Sequence, residues 1–322
     1  MPLLEIKNLK LDFRSGDASL RAVDDVSLTI NAGETVCLVG ESGCGKSVTA
    51  QSIARLVPSP PANYADGEIL LNGRDVLKMS ARELQEIRGG MVSYVFQEPG
   101  ASLNPVIRIG AQIKESLILH QPTKATDAEV VRLLKLVGIP APESRIRNYP
   151  FEMSGGMQQR VMIAMALASE PKLLVADEPT TALDVTIQAQ ILDLLRDLKQ
   201  RLGMAILLIT HNLGIVGDMA DRVAVMYAGQ IVELAPVREL LRRPLHPYTR
   251  ALMNSVPKLS GGAQRLSAIP GHVPRLGNFP PGCRFAPRCP MAKPECSQAI
   301  PELVEVEAGR WVRCLIWRTM IG

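Results

Sequence analysis

Three patterns of apolar spacing divide this chain. Near its start, short runs rich in Leu, Ile and Val over residues 3–13 and 26–39 predict strands; VSLTI and TVCLVG are parted by a turn at Asn31-Ala32-Gly33. After a glycine-rich loop the spacing changes. Ala50, Ile53, Ala54 and Val57 recur at i, i+3, i+4 and i+7, one buried helical stripe, and Pro58, Pro60 and Pro61 end it. GEILLNG and MVSYVFQ predict two further strands. Over about 98–152 the pattern becomes helical and polar, with breaks at Pro105, Pro140 and Pro142, which predicts an inserted helical subdomain. Continuous apolar runs return in KLLVAD and AILLIT, as strands covered on both faces require. Ile187, Ile191, Leu194 and Leu198 give a helical stripe between them. RVAVMY and QIVEL flank Ala228-Gly229 as a hairpin. Beyond about Pro236 the residues Pro, Arg, Gly and Cys dominate, and a domain boundary is expected there.

Composition narrows the class. A length of 322 residues suits one large domain and a small one, and 47% apolar residues suffice for a sizeable core. The net charge of +4 is spread along the chain without a basic block, and the 2 Trp, 5 Tyr and 5 Phe are scattered. Both observations argue against a nucleic-acid partner. No apolar stretch approaches the ~18 residues of a membrane span. The opening MPLLEIKNLK carries charges where a secretory signal needs an apolar run. A cytoplasmic protein is expected. Six cysteines in that setting point to metal or redox chemistry before disulfides.

The strongest motif is Gly40-Glu41-Ser42-Gly43-Cys44-Gly45-Lys46-Ser47, a G-x-x-x-x-G-K-[ST] loop between a predicted strand and a predicted helix. Its glycines let backbone N–H groups wrap phosphate oxygens, Lys46 would reach the β- and γ-phosphates, and Ser47 would hold Mg²⁺. A chance match in a chain of this length is on the order of 1%. Alone, the loop says only that a nucleotide is bound. The apolar strand Leu173-Leu174-Val175-Ala176 ends in Asp177-Glu178, carboxylates suited to an outer-sphere Mg²⁺ role and to polarising water. In Met153-Ser154-Gly155-Gly156-Met157-Gln158-Gln159-Arg160, Ser154 is a good N-cap, with Val161, Ala164, Met165 and Ala168 as a stripe behind it.

The order of these motifs, with Gln97, Thr181-Ala182-Leu183-Asp184 and His211, resembles the nucleotide-binding subunit of ABC transporters over roughly residues 3–240. The resemblance implies an α/β P-loop NTPase (RecA-like) cassette, with an antiparallel β-subdomain and a helical subdomain at about 98–156. The cassette would span 1–240, and a cysteine-bearing extension 241–322. Gln97 would be the Q-loop residue that senses Mg²⁺ and the membrane subunit. Ser154, Gly155 and Gly156 would cap the ATP of a partner subunit. Asp184 belongs to the D-loop, His211 would be the switch histidine at the γ-phosphate, and Phe13 would stack on adenine. Met153 and Met157 depart from the usual L-S-G-G-Q signature. That variant resembles peptide-importer ATPases, as do Gln97-Glu98-Pro99, Ser102-Leu103-Asn104-Pro105 and Leu245-His246-Pro247-Tyr248-Thr249. The expected function is hydrolysis of ATP, with Mg²⁺, to energise peptide import. The implied partners are a related second ATPase subunit, two membrane permeases and an extracytoplasmic solute-binding protein, with the chain peripheral on the cytoplasmic membrane face. The alternatives are import of a non-peptide solute such as a nickel complex, or a soluble ABC ATPase acting on ribosomes or DNA. Those usually carry two cassettes or long coiled coils, and this chain has one P-loop and no sustained heptads.

Four cysteines, Cys283, Cys289, Cys296 and Cys314, lie near the C-terminus. Their spacing lacks the tight pairs of structural zinc sites, but leaves zinc and an iron–sulfur cluster both open. Arg284, Arg288 and Arg313 beside them could offset thiolate charge in either case. Similar importer ATPases carry a cluster in this tail, so the resemblance implies a [4Fe–4S] centre with zinc as the alternative. Cys37 and Cys44 are expected to be structural.

Overall fold

A computed structural model describes residues 1–181, 183–255 and 269–320. In chain order its strands are β1 (Leu4–Ser15), β2 (Ala18–Ile30), β3 (Thr35–Val39), β4 (Ala62–Leu71), β5 (Arg74–Asp75), β6 (Val92–Val95), β7 (Leu173–Asp177), β8 (Ala205–Thr210), β9 (Arg222–Tyr227), β10 (Gln230–Pro236), β11 (Val304–Glu307) and β12 (Arg310–Val312). The helices are α1 (Lys46–Ser52), α2 (Ala81–Ile87), α3 (Pro99–Ser102), α4 (Ile109–His120), α5 (Asp127–Leu136), α6 (Pro142–Arg145), α7 (Gly155–Leu167), α8 (Val185–Leu202), α9 (Val216–Met219), α10 (Val237–Arg242) and α11 (Pro247–Asn254). They fall into two compact units: Met1–Ile30, Thr35–Leu77 and Ile209–Gly322 form the first, Asn31–Glu34 and Lys78–Leu208 the second.

In the first unit, β1 and β2 make a long antiparallel hairpin, and β4 and β5 complete a sheet of order β2-β1-β4-β5. The start of β2 is not predicted by the apolar pattern. Ala18–Arg21 has no continuous apolar run and is exposed at Ala18 and Ser19, and it is held by pairing with β1 (Ser15↔Ala18, Asp12↔Arg21) and an Arg21–Asp12 ion pair. A second sheet runs through β3, parallel to β9, and then β10, which returns antiparallel through the left-handed pair Ala228-Gly229 (φ 47° and 84°). That turn geometry matches the right-handed twist of a two-residue hairpin. The tail builds on the same sheet: β12 pairs with β10 at Glu233↔Val312, and β11 with β12. Helix α1 stops at Ser52, short of the predicted stripe's end, where Arg55 turns into φ 49°. Ala50, Ile53, Ala54 and Val57 are nonetheless all buried.

In the second unit, β6 and β7 are parallel neighbours, followed by β8. Every residue of β7 and β8 is buried, as their continuous apolar runs require. Helices α3, α4 and α5 pack on α7, which is buried on nearly all sides, from Gln159 to Leu167. Helix α8 is capped by Asp184, whose carboxylate accepts from Ile187 N–H at 2.9 Å, and ends at Gly203 in the left-handed region. Its buried stripe is Ile191, Leu192, Leu195 and Leu198, so Leu195 replaces the predicted Leu194, which is half-buried. Each such fully buried side chain contributes roughly 1.5–3 kcal/mol. Among the described residues no helix is long and apolar enough to cross a membrane.

Candidate functional site

The glycine loop of the first unit leaves the fully buried strand β3 and enters α1 at Lys46. Its first glycine is demanded by packing. At Gly40 (φ +154°) a Cβ would lie 2.2 Å from the Met226 carbonyl oxygen of β9. At Gly45 (φ +103°) it would lie 2.9 Å from Met226 Cε and 3.0 Å from the Ala22 carbonyl oxygen. The loop therefore hugs its own unit at both ends, while Ser42 and Gly43 between them are exposed. Lys46 is buried and donates from Nζ to the carbonyl oxygens of Gly40 (2.8 Å) and Glu41 (3.0 Å). Ser47 is half-buried at the start of α1. Burial pushes the Cys44 thiol up, the nearby Lys46 opposing, so Cys44 is an inert packing residue like the fully buried Cys37.

Two tail residues that the motif reading did not assign to this loop also hold it. Tyr248 Oη accepts from Glu41 N–H at 2.9 Å, and Arg288 grips the Glu41 carboxylate with both arms, at 2.8 and 3.0 Å. The Leu245-His246-Pro247-Tyr248-Thr249 stretch was the available signal for the first; nothing local pointed to the second. In the same unit His211 is exposed just past β8, where Asn212 accepts from Gly214 N–H at 2.8 Å to shape the turn. Phe13 is half-buried on β1, paired with Leu20 and Ala62.

In the second unit the structure brings Gln97, Glu178 and Thr181 together. Gln97 Nε2 donates to Glu178 Oε2 at 3.3 Å, and Thr181 Oγ1 donates to the same oxygen at 2.8 Å. Glu178 has φ +46°, a left-handed backbone unusual for a side-chain-bearing residue. Such outliers persist where surrounding structure over-determines them, and they cluster at functional sites. Asp177, one residue earlier, is buried at the end of β7. Ser154 caps α7, its Oγ accepting from Met157 N–H at 3.4 Å, and Ser154 and Gly155 are exposed. A Cβ on Gly156 would meet Ile187 Cγ2 at 2.8 Å, so this glycine lets α7 approach α8 closely. Ala182 of the Thr181-Ala182-Leu183-Asp184 stretch lies outside the described residues.

The four tail cysteines gather in one neighbourhood. Cys283 N–H donates to the Cys296 carbonyl at 2.7 Å. Cys296 and Cys314 lie in an apolar cluster with Leu245, Ala286, Val312 and Ile316, against which Cys283 packs. Burial pushes Cys314 up to about 12, and Cys283, Cys289 and Cys296 add to the shift. Burial likewise raises Cys283 and Cys289. All four are free thiols. Among the described residues no three His, Cys, Asp or Glu side chains are grouped so as to hold a metal ion. The expectation that three arginines offset thiolate charge is corrected: each is committed elsewhere. Arg284 pairs with Asp24 and the Ala228 carbonyl, Arg288 with Glu41, and Arg313 with Asp25.

Comparison with known proteins places these features in context. The profile described as ABC transporter matches residues 23–181, and that of the oligopeptide/dipeptide transporter C-terminal region matches 232–296. The oligopeptide transport ATP-binding protein AppD of Bacillus subtilis is 52% identical, over 98% of this chain and 97% of its own. A probable peptide ABC transporter ATP-binding protein of Sinorhizobium fredii is 50% identical, over 98% and 95%. The oligopeptide transport ATP-binding protein OppD of Bacillus subtilis is 49% identical, over 97% and 88%. Among solved structures, the dimeric ABC transporter cassette MJ0796 is similar with a TM-score of 0.64 and 27% identity, covering 73% of this chain and 99% of that one.

Proposed function

The chain belongs to the ABC transporter ATP-binding family, in its oligopeptide/dipeptide branch, and from that premise we propose how its residues share the work. It is an ATPase coupled to transport, and the function it serves is peptide import. One observation carries this reading above others: similarity to peptide-transport ATPases at about half identity runs nearly end to end and includes the tail. The solute path then lies in permease subunits fed by a solute-binding protein outside the membrane, and this chain is peripheral on the cytoplasmic face. Vesicles holding the permeases, the binding protein, this chain and its partner cassette should take up labelled peptide only with Mg-ATP inside. Uptake without ATP, or peptide-independent hydrolysis alone, would overturn the reading.

The 40–47 loop and Lys46 bind the phosphates of ATP, and Phe13 stacks on adenine. The shape of the loop supports this, with left-handed glycines and a buried lysine whose Nζ lies on the loop's own carbonyls. Ser47 and Asp177 would hold Mg²⁺, which would supply neutralisation of negative charge on the phosphates. Glu178 polarises the attacking water, Gln97 and Thr181 orient Glu178, and His211 contacts the γ-phosphate. Ser154, Gly155 and Gly156 cap ATP on a second cassette, with Asp184 in the adjoining segment; the exposure of Ser154 and Gly155 supports that role. A related but different chain is the proposed partner. Specific activity should therefore rise with protein concentration and with added partner cassette. A concentration-independent rate from a chain that stays monomeric with ATP bound would refute this.

Cys283, Cys289, Cys296 and Cys314 ligate one [4Fe–4S] cluster. The donor chemistry suits such a centre: all four are free thiols, and Cys283, Cys296 and Cys314 share one apolar cluster. The cluster has zinc as the alternative occupant of the same four thiols. When bound it cross-links the tail and adds no chemistry to hydrolysis. Anaerobically purified protein should contain iron and acid-labile sulfide in equal amounts. Stoichiometric zinc without iron, or four alkylatable thiols in the folded chain, would reject it.

A further inference from the structure

Glu41 is an odd residue for its place. It is the second residue of a loop read as a phosphate cradle, and a carboxylate there has the wrong sign for the ligand. The structure shows how that charge is handled. Every polar group of Glu41 is committed: its N–H donates to Tyr248 Oη at 2.9 Å, its carbonyl accepts from Lys46 Nζ at 3.0 Å, and its carboxylate receives both arms of Arg288 at 2.8 and 3.0 Å. The Arg288 side chain is only 6% exposed. It comes from the 3₁₀ turn Ala286–Arg288 in the tail, lies 5.7 Å from the Tyr227 ring centroid, and also donates to the carbonyls of Ile269, Pro270 and Gly271. A planar fork on a carboxylate fixes position as well as charge. Lys46 reaches the same two loop residues, Gly40 and Glu41, so whatever sets their backbone also sets where the Lys46 ammonium sits.

We propose that Arg288 is a positioning residue for nucleotide binding: by neutralising and pinning Glu41, the tail sets the affinity of the 40–47 loop for Mg-ATP. Without it, a half-buried carboxylate faces the phosphates uncompensated and the loop's first half loses its anchor. This rests on reading residues 40–47 as the ATP-binding loop. If Arg288 only bolted the tail down, its loss would lower thermal stability, and removing the Glu41 charge would restore nothing.

The test is Mg-ATP affinity of the full chain by titration calorimetry, with unfolding temperature recorded for each variant. Arg288→Gln removes the cation while keeping a polar amide donor and should raise Kd about tenfold. Adding Glu41→Gln to it should recover most of that loss, because the unpaired charge is gone. Arg288→Lys, which keeps a cation but not the planar fork, should lose affinity by less than Arg288→Gln does. A Kd for Arg288→Gln within about twofold of wild type, a double variant no tighter than Arg288→Gln, or a loss in Arg288→Lys equal to that in Arg288→Gln would each overturn the proposal. Lys46→Ala separates the two levels. If it binds as wild type does, the loop reading itself fails; if it abolishes binding while Arg288→Gln does not weaken it, only the positioning role fails.

Discussion

Glu178→Gln protein should bind Mg-ATP and fail to turn it over. The substitution keeps size and shape, and the amide oxygen can still accept from Thr181 Oγ1, which donates to Glu178 at 2.8 Å. The left-handed backbone at φ +46° costs Gln no more than Glu. What is lost is the negative charge that polarises water, so the fall should appear in kcat and not in Kd. General-base positioning is worth about 10²–10⁴-fold. Single-turnover hydrolysis with a parallel binding measurement decides it. A kcat within about tenfold of wild type would remove Glu178 from the reaction. Lys46→Ala should show the opposite split, losing affinity first, because a buried ammonium resting on the loop's carbonyls is a binding group.

Gly40→Ala should destabilise the protein far more than Gly43→Ala. A Cβ at position 40 would lie 2.2 Å from the Met226 carbonyl oxygen and 2.9 Å from Cys44 Sγ. Met226 cannot retreat, since it lies within β9 and pairs with Ile231 of β10. Forcing a backbone shift at a packed strand costs about 3 kcal/mol or more, or about 6–12 °C in Tm for a unit of this size. Gly43 at φ +78° has nothing within 4 Å of its Cβ position, so Ala there meets only the left-handed penalty, about 1–2 kcal/mol. Thermal unfolding of both variants checks this; equal shifts would show that backbone conformation, and not contact with β9, requires Gly40.

Much of the site was legible because its chemistry is local. A strand, a glycine loop and a helix beginning at Lys46 follow one another in a few residues, as do β7 with Asp177 and Glu178, and Ser154 with the helix it caps. Periodicity served equally well where both faces are buried, as in β7 and β8, while in α8 it found Ile191 and Leu198 but placed Ile187 and Leu194 in a stripe where they are only half-buried. It failed at the first residues of β2, which carry no continuous apolar run and whose strand form comes from pairing with β1. It also overran α1, where apolar residues beyond Ser52 are buried without being helical.

The tail divides the two kinds of information most clearly. Four cysteines and a cluster of arginines are visible in the sequence, and charge alone suggested that the arginines serve the cysteines. Folding assigned them otherwise, taking Arg288 to a carboxylate 247 residues away and Arg313 to one 288 residues away. The fold class and the order of strands and helices around the motifs were readable from the chain alone, because each depends on neighbours within a turn or a strand. Only tertiary structure decided that Gly40 must be glycine to clear Met226, that Glu178 is held by Gln97, and that Arg288 neutralises Glu41. Those contacts join segments far apart in the chain, and no spacing along it encodes which surfaces the folded sheets press together.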